Sequence, residues 1–369
     1  MKTNVLRVIL FFLIILIIPA FTLFGNKETV SYNENKMLAQ FPEFTVESWK
    51  NRSFMNGMAD FFSDHFVLRE NFIKLKNKIE ILIGKDEING VFEYDGYLIQ
   101  TFKDVDYKLT DRNIASLNKL KNKFSNIPFY FMPVITSQEK FKDNLPDYLN
   151  LESESDYINY CFSKLENIEK IDVSREICET DYAFYRTDHH WTTAAAYQAY
   201  LKTANHLGIK PVNSVEIKTV TNDFYGTLYS KTLNEKIKAD CIETYVSNTK
   251  FALNIKDELY DSIYFEKFLN EKDKYSYFLS GNHGICTIKN LDISSDKKLL
   301  IIKDSYANCF VPFIAENYSE VTLVDPRYSS YAQINEINLS DYDGVLVLFN
   351  VSGFSQEQNF SLIEFMGDK

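Results

Sequence analysis

Residues 299–316, LLIIKDSYANCFVPFIAE, contain the clearest strand–turn–helix pattern in the chain. The four aliphatic residues 299–302 predict a short strand, and residues 307–316 predict a helix. Ser305 lies in the turn between them. An apolar strand without polar alternation is typical of a parallel sheet whose two faces are both covered. The pattern therefore predicts an α/β fold with Ser305 at the carboxyl end of a core strand.

Three further apolar runs repeat this pattern elsewhere in the chain. Residues 321–324 and 345–349 follow the first strand, and residues 128–135 precede it. Short apolar strands that alternate with helices predict a central, mostly parallel sheet. Functional side chains in such sheets gather beyond the carboxyl ends of the strands. Asp325-Pro326-Arg327 and Asn350 occupy such positions, as the serine does.

The other predicted elements are less regular. They comprise helical spacing over 51–83, a hairpin of residues 91–93 and 97–99 around Asp95-Gly96, a helix over 111–125, and a helix capped by Thr192 or Thr193 that ends near His206. Residues 209–285 have Tyr and Phe clusters without clean periodicity and predict an irregular, partly β insertion. Residues 51–369 are accordingly assigned to one α/β domain.

The composition argues against nucleic-acid binding and against a zinc site. The 369 residues carry a formal net charge of −11, with Lys and Arg scattered among acids. A nucleic-acid-binding surface needs a basic patch instead. The five cysteines form no CxxC pair, so a structural zinc site is not expected. We expect neither a metal nor a cofactor.

The N-terminus predicts export. Lys2 and Arg7 precede an apolar run of 17 residues, 8–24, which as a helix is about 26 Å long. We interpret residues 1–25 as a signal anchor, with a cleaved signal peptide as the alternative, and the polar residues 26–50 as a stalk. Both interpretations put the rest of the chain outside the cytoplasm, at the cell membrane or secreted.

The segment Thr187-Asp188-His189-His190-Trp191-Thr192 supplies an acid and two imidazoles before Ser305. Folding could join Asp188, a histidine and Ser305 into the arrangement used for acyl transfer through a serine ester. The acid would bind Nδ1–H and leave Nε2 as the base. The Asp-x-His spacing favours His190 over His189 without deciding between them. A metal site is disfavoured because adjacent histidines point in different directions and further ligands are not evident.

Other residues close to these motifs are candidates for substrate binding. Gly281-Asn282 could direct a backbone N–H and a side-chain amide at one oxygen, as an oxyanion hole requires, or could form an ordinary turn. Arg327 could bind a carboxylate or a sugar hydroxyl, or could pair with Asp325. Trp191 and Tyr306 are further candidates because they adjoin the predicted triad in sequence.

Several of these motifs together resemble the bacterial DHHW protein family. The resemblance spans roughly residues 30–355 and rests on Asp64-His65-Phe66, Thr187-Asp188-His189-His190-Trp191, Ser280-Gly281-Asn282, residues 302–308, Val311-Pro312-Phe313 and residues 324–328. More distantly, the chain is similar to the alginate O-acetyltransferases, whose Asp-x-His-Trp signature corresponds to Asp188, His190 and Trp191. In those enzymes the serine follows the Asp/His pair, as Ser305 does here.

The resemblance implies a three-layer, SGNH-hydrolase-like α/β domain that acts as an extracytoplasmic serine O-acyltransferase on a cell-surface polysaccharide. It implies Ser305 as nucleophile, His190 as base and Asp188 as orienting acid. It also implies that a membrane-bound acyltransferase partner supplies the acyl donor. One residue departs from the SGNH pattern, because Lys303 stands where a Gly-Asp-Ser block has glycine.

Two alternatives to acyl transfer stay open. A polysaccharide O-acetyl esterase would use the same triad with water as the acceptor. A non-catalytic glycan-binding or assembly protein would retain the fold without the chemistry. Because general-base catalysis needs hydrogen-bond contact, a Ser305 Oγ more than about 4–5 Å from both histidines would favour the non-catalytic alternative.

Overall fold

The computed structural model describes residues 2–24, 29–31, 36–213 and 215–367. The chain forms two compact units, Met1–Asn89 with Tyr229–Glu235, and Gly90–Leu228 with Lys236–Lys369. Parts of the predicted stalk, residues 26–28 and 32–35, lie outside the described residues. The predicted boundaries near residues 25 and 50 stay predictions.

The first unit is mostly helical. Its elements are α1 (Lys2–Phe24), β1 (Val30–Ser31), β2 (Lys36–Met37), α2 (Val46–Lys50), α3 (Ser53–Asp64), α4 (Arg69–Leu82) and β3 (Glu87–Ile88). The helical spacing predicted over 51–83 is confirmed, but as two helices. The interruption precedes α4, where Leu68 adopts a left-handed φ of 59°, a conformation that cannot continue a right-handed helix.

The predicted membrane anchor is contradicted. Among the described residues, no helix combines the length and the apolar character needed to cross a bilayer. The apolar run of 17 residues is shorter than the roughly 20 that a hydrocarbon core about 30 Å thick typically requires. The predictions of a single-pass N-terminal anchor and of a location at the cell membrane are therefore wrong.

The second unit contains the remaining strands and most of the remaining helices. The strands are β4 (Val91–Tyr94), β5 (Tyr97–Gln100), β6 (Phe129–Val134), β7 (Glu169–Lys170), β8 (Glu216–Phe224), β9 (Asp240–Val246), β10 (Phe251–Ile255), β11 (Glu258–Tyr260), β12 (Ile285–Asn290), β13 (Lys298–Lys303), β14 (Glu320–Val324) and β15 (Gly344–Asn350). The α-helices are α5 (Tyr107–Lys123), α6 (Ser137–Phe141), α7 (Glu154–Lys164), α8 (Ser174–Cys178), α9 (Thr193–His206), α10 (Thr227–Thr232), α11 (Ala307–Ile314), α12 (Tyr331–Asn335) and α13 (Val351–Gln356). α10 begins in this unit and ends in the first. The predicted core strands, the hairpin, the 111–125 helix and the Thr192-capped helix are confirmed, with shifted ends.

An eight-stranded sheet organises this unit, in the order β11-β10-β12-β14-β13-β15-β6-β7. The strands from β14 to β7 are parallel, whereas β12, β10 and β11 extend the sheet in antiparallel pairs. The predicted α/β class with a mostly parallel central sheet is confirmed. Its description as a three-layer, SGNH-hydrolase-like domain stays a prediction.

Strand β13 lies between β14 and β15, and its residues 299–302 are fully buried. It is a continuous aliphatic run because it has no solvent-facing side. The strand ends at Lys303, and α11 begins at Ala307. The fold thus presents Asp304-Ser305-Tyr306 at the carboxyl edge of the sheet.

Candidate active site

The loop from Arg186 to His190 is held by a buried carboxylate at the start of β9. Asp240 Oδ2 accepts hydrogen bonds from the Thr187 N–H and hydroxyl at 2.8 and 2.5 Å, and Oδ1 accepts one from the Arg186 N–H at 2.7 Å. Thr192 caps α9 through its side chain, which accepts from the Ala195 N–H. Both ends of the loop are therefore fixed by contacts that do not involve Asp188, His189 or His190.

Asp188, His190 and Ser305 form one continuous hydrogen-bonded chain. His190 Nδ1 lies 2.5 Å from Asp188 Oδ1, and His190 Nε2 lies 2.8 Å from Ser305 Oγ. All three residues are buried, with exposed fractions of 2%, 5% and 7%. The structure thus brings together the three residues that the sequence singles out, with His190 as the histidine in contact with the serine.

Asp188 is surrounded by donors. Its Oδ2 accepts from the Thr227 N–H at 2.7 Å and from the Thr227 hydroxyl at 2.9 Å. Burial acts to raise the pKa of Asp188, but the charges of His189 and His190 together with these hydrogen bonds hold it well below its usual range. A carboxylate in this setting stays ionised and can stabilise a protonated His190.

The two histidine rings and a tyrosine form a stack. The ring centroids of His189 and His190 are 3.9 Å apart. The Tyr275 ring stacks on His190, with the centroids 3.8 Å apart and an interplanar angle of 12°. His189 Nδ1 contacts Thr227 Oγ1 at 2.7 Å. The assumption that the adjacent histidines diverge is thus wrong. One potential ligand atom each from Asp188, His189 and His190 falls within 4.8 Å of the others, although the hydrogen bonds described here already use several of their ring nitrogens and carboxylate oxygens.

The serine turn is fixed from the neighbouring strand. Asp304 Oδ1 accepts from the Tyr306 N–H at 2.9 Å, and Oδ2 accepts from the Asn350 N–H and side-chain amide at 2.8 and 2.6 Å. Burial raises the pKa of the Asp304 carboxyl. Tyr275 donates its hydroxyl hydrogen to the Ser305 carbonyl at 3.2 Å. Strand β15 therefore takes part in holding the serine.

Lys303 fills the place where the SGNH pattern has glycine. Its ammonium group is buried and donates to Asn282 Oδ1 at 3.1 Å and to Asn308 Oδ1 at 2.8 Å. Asp325 Oδ2 lies 3.7 Å away. Burial lowers the pKa of Lys303 against the opposing charge of Asp325.

Two N–H groups, one in the serine turn and one in the predicted oxyanion turn, are unengaged within the described part of the chain. Neither the Ser305 N–H nor Asn282 Nδ2 makes a hydrogen bond there. Gly281 precedes Asn282 with a φ of +89°, and a Cβ at this position would come within 2.8 Å of Ser276 Oγ. The predicted oxyanion residues are thus carried on a turn that requires glycine.

The remaining candidates, Trp191, Tyr306 and Arg327, make hydrogen bonds to other residues of the chain. Trp191 and Tyr306 are fully buried, and the indole N–H donates to the Tyr306 carbonyl at 2.8 Å. The Tyr306 hydroxyl bonds the His189 carbonyl. Arg327 binds both oxygens of Asp325, at 2.9 and 2.7 Å, which is one of the alternatives predicted for it.

Sequence analysis missed Thr227, Tyr275, Asp240 and Asp304 as parts of this site. Thr227 lies 39 residues from Asp188 in sequence, within the stretch that lacks clean periodicity. Gly226 is the sequence feature that marks this approach, because a Cβ there would fall 2.3 Å from Asp188 Oδ2. Glycine before a polar residue is too common in loops to identify such an approach without the fold.

Comparisons with known proteins identify the family and the fold of this chain. The sequence model described as DHHW protein matches residues 87–324. A DHHW family protein from Eubacterium siraeum has a solved structure with 24% identity and a TM-score of 0.65, covering 77% of this chain and 98% of that one. Bacillus cereus PatB1, solved with a sulfonyl adduct, has 17% identity and a TM-score of 0.59, with 75% and 99% covered.

The O-acetyltransferase domain of Pseudomonas putida AlgJ is also similar, at 12% identity and a TM-score of 0.47, with 73% of this chain and 93% of that chain covered. No curated protein matches the sequence. The family match includes the His-containing loop and extends over more than half of the chain, so this chain belongs to the DHHW family.

Proposed function

We propose that this chain is a serine O-acyltransferase that takes an acyl group onto Ser305 as an ester and passes it to a polysaccharide hydroxyl. The observation that carries the proposal is the Asp188–His190–Ser305 chain, with contacts of 2.5 and 2.8 Å. Both contacts suit general-base catalysis. A serine beyond reach of both histidines would favour the non-catalytic alternative, and the 2.8 Å contact removes that argument for it.

In the first half-reaction, Ser305 Oγ attacks the donor carbonyl while its proton passes to His190 Nε2. The tetrahedral intermediate collapses, the bond to the leaving group breaks, and His190 returns the proton to that group. In the second half-reaction, an acceptor hydroxyl gives its proton to His190 and attacks the ester. The bond between Ser305 Oγ and the acyl carbon then breaks, and Ser305 recovers its proton from His190. Asp188 stabilises the imidazolium in both halves.

The negative oxygen of each tetrahedral intermediate needs hydrogen-bond donors. The Ser305 N–H and Asn282 Nδ2 are the donors we propose, because both are unengaged among the described residues and because Asn282 contacts Lys303, two residues before the nucleophile. Donors that are already in place cost no reorganisation during the reaction. The glycan, the acyl donor and the expected membrane-bound acyltransferase partner are further parts of this proposal.

The test is acylation of the full-length protein with 4-nitrophenyl acetate, followed by intact mass measurement and peptide mapping. We expect one acetyl group on Ser305 in the wild type and none in Ser305→Ala or His190→Ala. The matched controls are Ser340→Ala and His206→Ala, which alter an exposed serine and a histidine paired with Glu169. Equal labelling of the wild type and Ser305→Ala would exclude the serine mechanism.

Acyl transfer and hydrolysis are separated in the same assay by adding acetyl acceptors. A transferase moves the acetyl group from Ser305 to an added oligosaccharide faster than to water, whereas an esterase releases acetate at the same rate with or without the oligosaccharide.

Pre-treatment of the protein with EDTA tests for a bound metal. Loss of labelling there would favour a metal bound by the Asp188, His189 and His190 cluster.

A further inference from the structure

Lys303 is an unusual residue to find at this position. Its side chain is 1% exposed, and lysine is almost never fully buried unless its charge is compensated. It lies two residues before Ser305, at the last position of β13. A buried charge beside a nucleophile calls for a physical reason, since burial disfavours the charged form.

The partners of Lys303 determine how Asn282 is oriented. An ammonium group only donates hydrogen bonds, so the side-chain atom of Asn282 that faces it must be the oxygen. Asn308 Nδ2 donates to the same oxygen at 3.2 Å. Two donors therefore converge on Asn282 Oδ1, and the Nδ2 end of this amide is turned away from them.

The Lys303 ammonium shares the carboxylate of Asp325 with Arg327. Asp325 lies 3.7 Å from Lys303, but both of its oxygens already bind Arg327. Lys303, Asp325 and Arg327 together carry one net positive charge when all three are ionised. Asp304, next in sequence, directs its carboxylate to Asn350 and the Tyr306 N–H instead.

We infer that Lys303 is a positioning residue for acyl chemistry, which holds the Asn282 amide so that Nδ2 faces the oxygen of an acyl group at Ser305. This inference rests on the proposed function. The ammonium group also polarises the amide through Oδ1, which makes its N–H groups stronger donors to a developing negative charge. Lys303 itself touches neither the substrate nor Ser305 Oγ in this role.

A double-mutant cycle tests the inference through acylation by 4-nitrophenyl acetate. Asn282→Ala should slow acylation about 10²-fold, as expected for loss of one oxyanion donor. Lys303→Met, which keeps an unbranched side chain but lacks the ammonium group, should slow it by about tenfold or more. In the Asn282→Ala background, Lys303→Met should slow it by less than about threefold, because the group it positions is gone. The control is Lys298→Met, a half-buried lysine at the other end of β13, which should leave the rate unchanged.

Equal factors for Lys303→Met in both backgrounds would overturn the inference, since a general effect on folding does not depend on Asn282. If Lys303→Met does not fold, Lys303→Gln replaces it, because its amide can still donate to Asn282 Oδ1 without the charge. The expected pattern is then a smaller loss that again disappears with Asn282→Ala. A wild type that does not label at Ser305 refutes the proposed function itself, and the cycle is read only once labelling is established.

Discussion

At the scale of single residues, Asp188 is the point on which the site converges. Oδ1 receives the ring and the backbone N–H of His190, and Oδ2 receives both donors of Thr227. Its pKa is held below the usual range. Its stabilising contribution is therefore present above the ordinary pKa of an aspartate and is lost only as the pH falls through the lower folded value.

Asp188→Asn should slow acylation of Ser305 by roughly 10³-fold, because an amide offers one acceptor oxygen and holds the imidazole in the wrong tautomer. The measurement is the rate of nitrophenolate release in a single turnover. Asp223→Asn, at an exposed position, is the control and should match the wild type. A loss smaller than about tenfold in Asp188→Asn would contradict the assigned role.

The two histidines should differ sharply when replaced. His190→Asn is expected to abolish measurable acylation, because His190 Nε2 contacts Ser305 Oγ. His189→Asn should cost less than about tenfold, since His189 Nδ1 contacts Thr227 Oγ1 instead. The measurement is the single-turnover acylation rate of each variant, compared with that of the wild type. The opposite order would identify His189 as the base.

At the scale of elements, the site depends on how closely the turn before α10 approaches the Asp188 loop. Gly226→Ala would place a Cβ 2.3 Å from Asp188 Oδ2. We expect a loss of about 1–3 kcal/mol in the free energy of unfolding, as for overpacking elsewhere, together with slower acylation. Urea unfolding of the purified variant measures the first effect.

Gly344→Ala is the matched control for that change. A Cβ at Gly344 would meet its nearest neighbours at 3.6 Å, an ordinary contact distance. The free energy of unfolding should change much less than in Gly226→Ala, and acylation should be unaffected. Similar effects of the two substitutions would mean that the approach to Asp188 is not the cause.

The elements differ in how far sequence could predict them. Strands such as 299–302 and 345–349 were predictable because a strand buried on both faces must be continuously apolar. The pairing of Asp188 and His190 was predictable because it is local. The contacts of Thr227, Tyr275 and Lys303 were not, since they join segments far apart in the chain whose approach is set by the order of the strands.

At the scale of the whole molecule, the stability of the second unit depends on a buried acid at the start of α7. Glu154 is fully buried and accepts from the Thr136 N–H and hydroxyl at 2.7 and 2.5 Å. Burial raises its pKa from 4.5 to about 7. Between these two values the unfolded chain has lost the proton that the folded chain retains, so stability falls as the pH rises.

Glu154→Gln should remove this dependence, because a neutral amide of the same shape can bond Thr136 at every pH. The wild type should lose roughly 3 kcal/mol relative to Glu154→Gln between pH 4 and pH 8. Urea unfolding at several pH values measures the difference, with the exposed Glu166→Gln as control. A difference that does not change with pH would contradict the prediction.

The folded chain itself holds His190 and Ser305 in contact. Asp188 and Tyr275 hold the ring of His190, and Tyr275, Asp304 and Asn350 hold the turn that carries Ser305. If Ser305 is the nucleophile, as we propose, a serine held in this way reacts with small esters that reach it, so selection between donors is weak at the first step. Discrimination then depends on how long the ester survives. An acetyl group that is still on Ser305 after gel filtration means that the ester waits for an acceptor other than water. Acetate that is released before the separation is complete means that water is the acceptor.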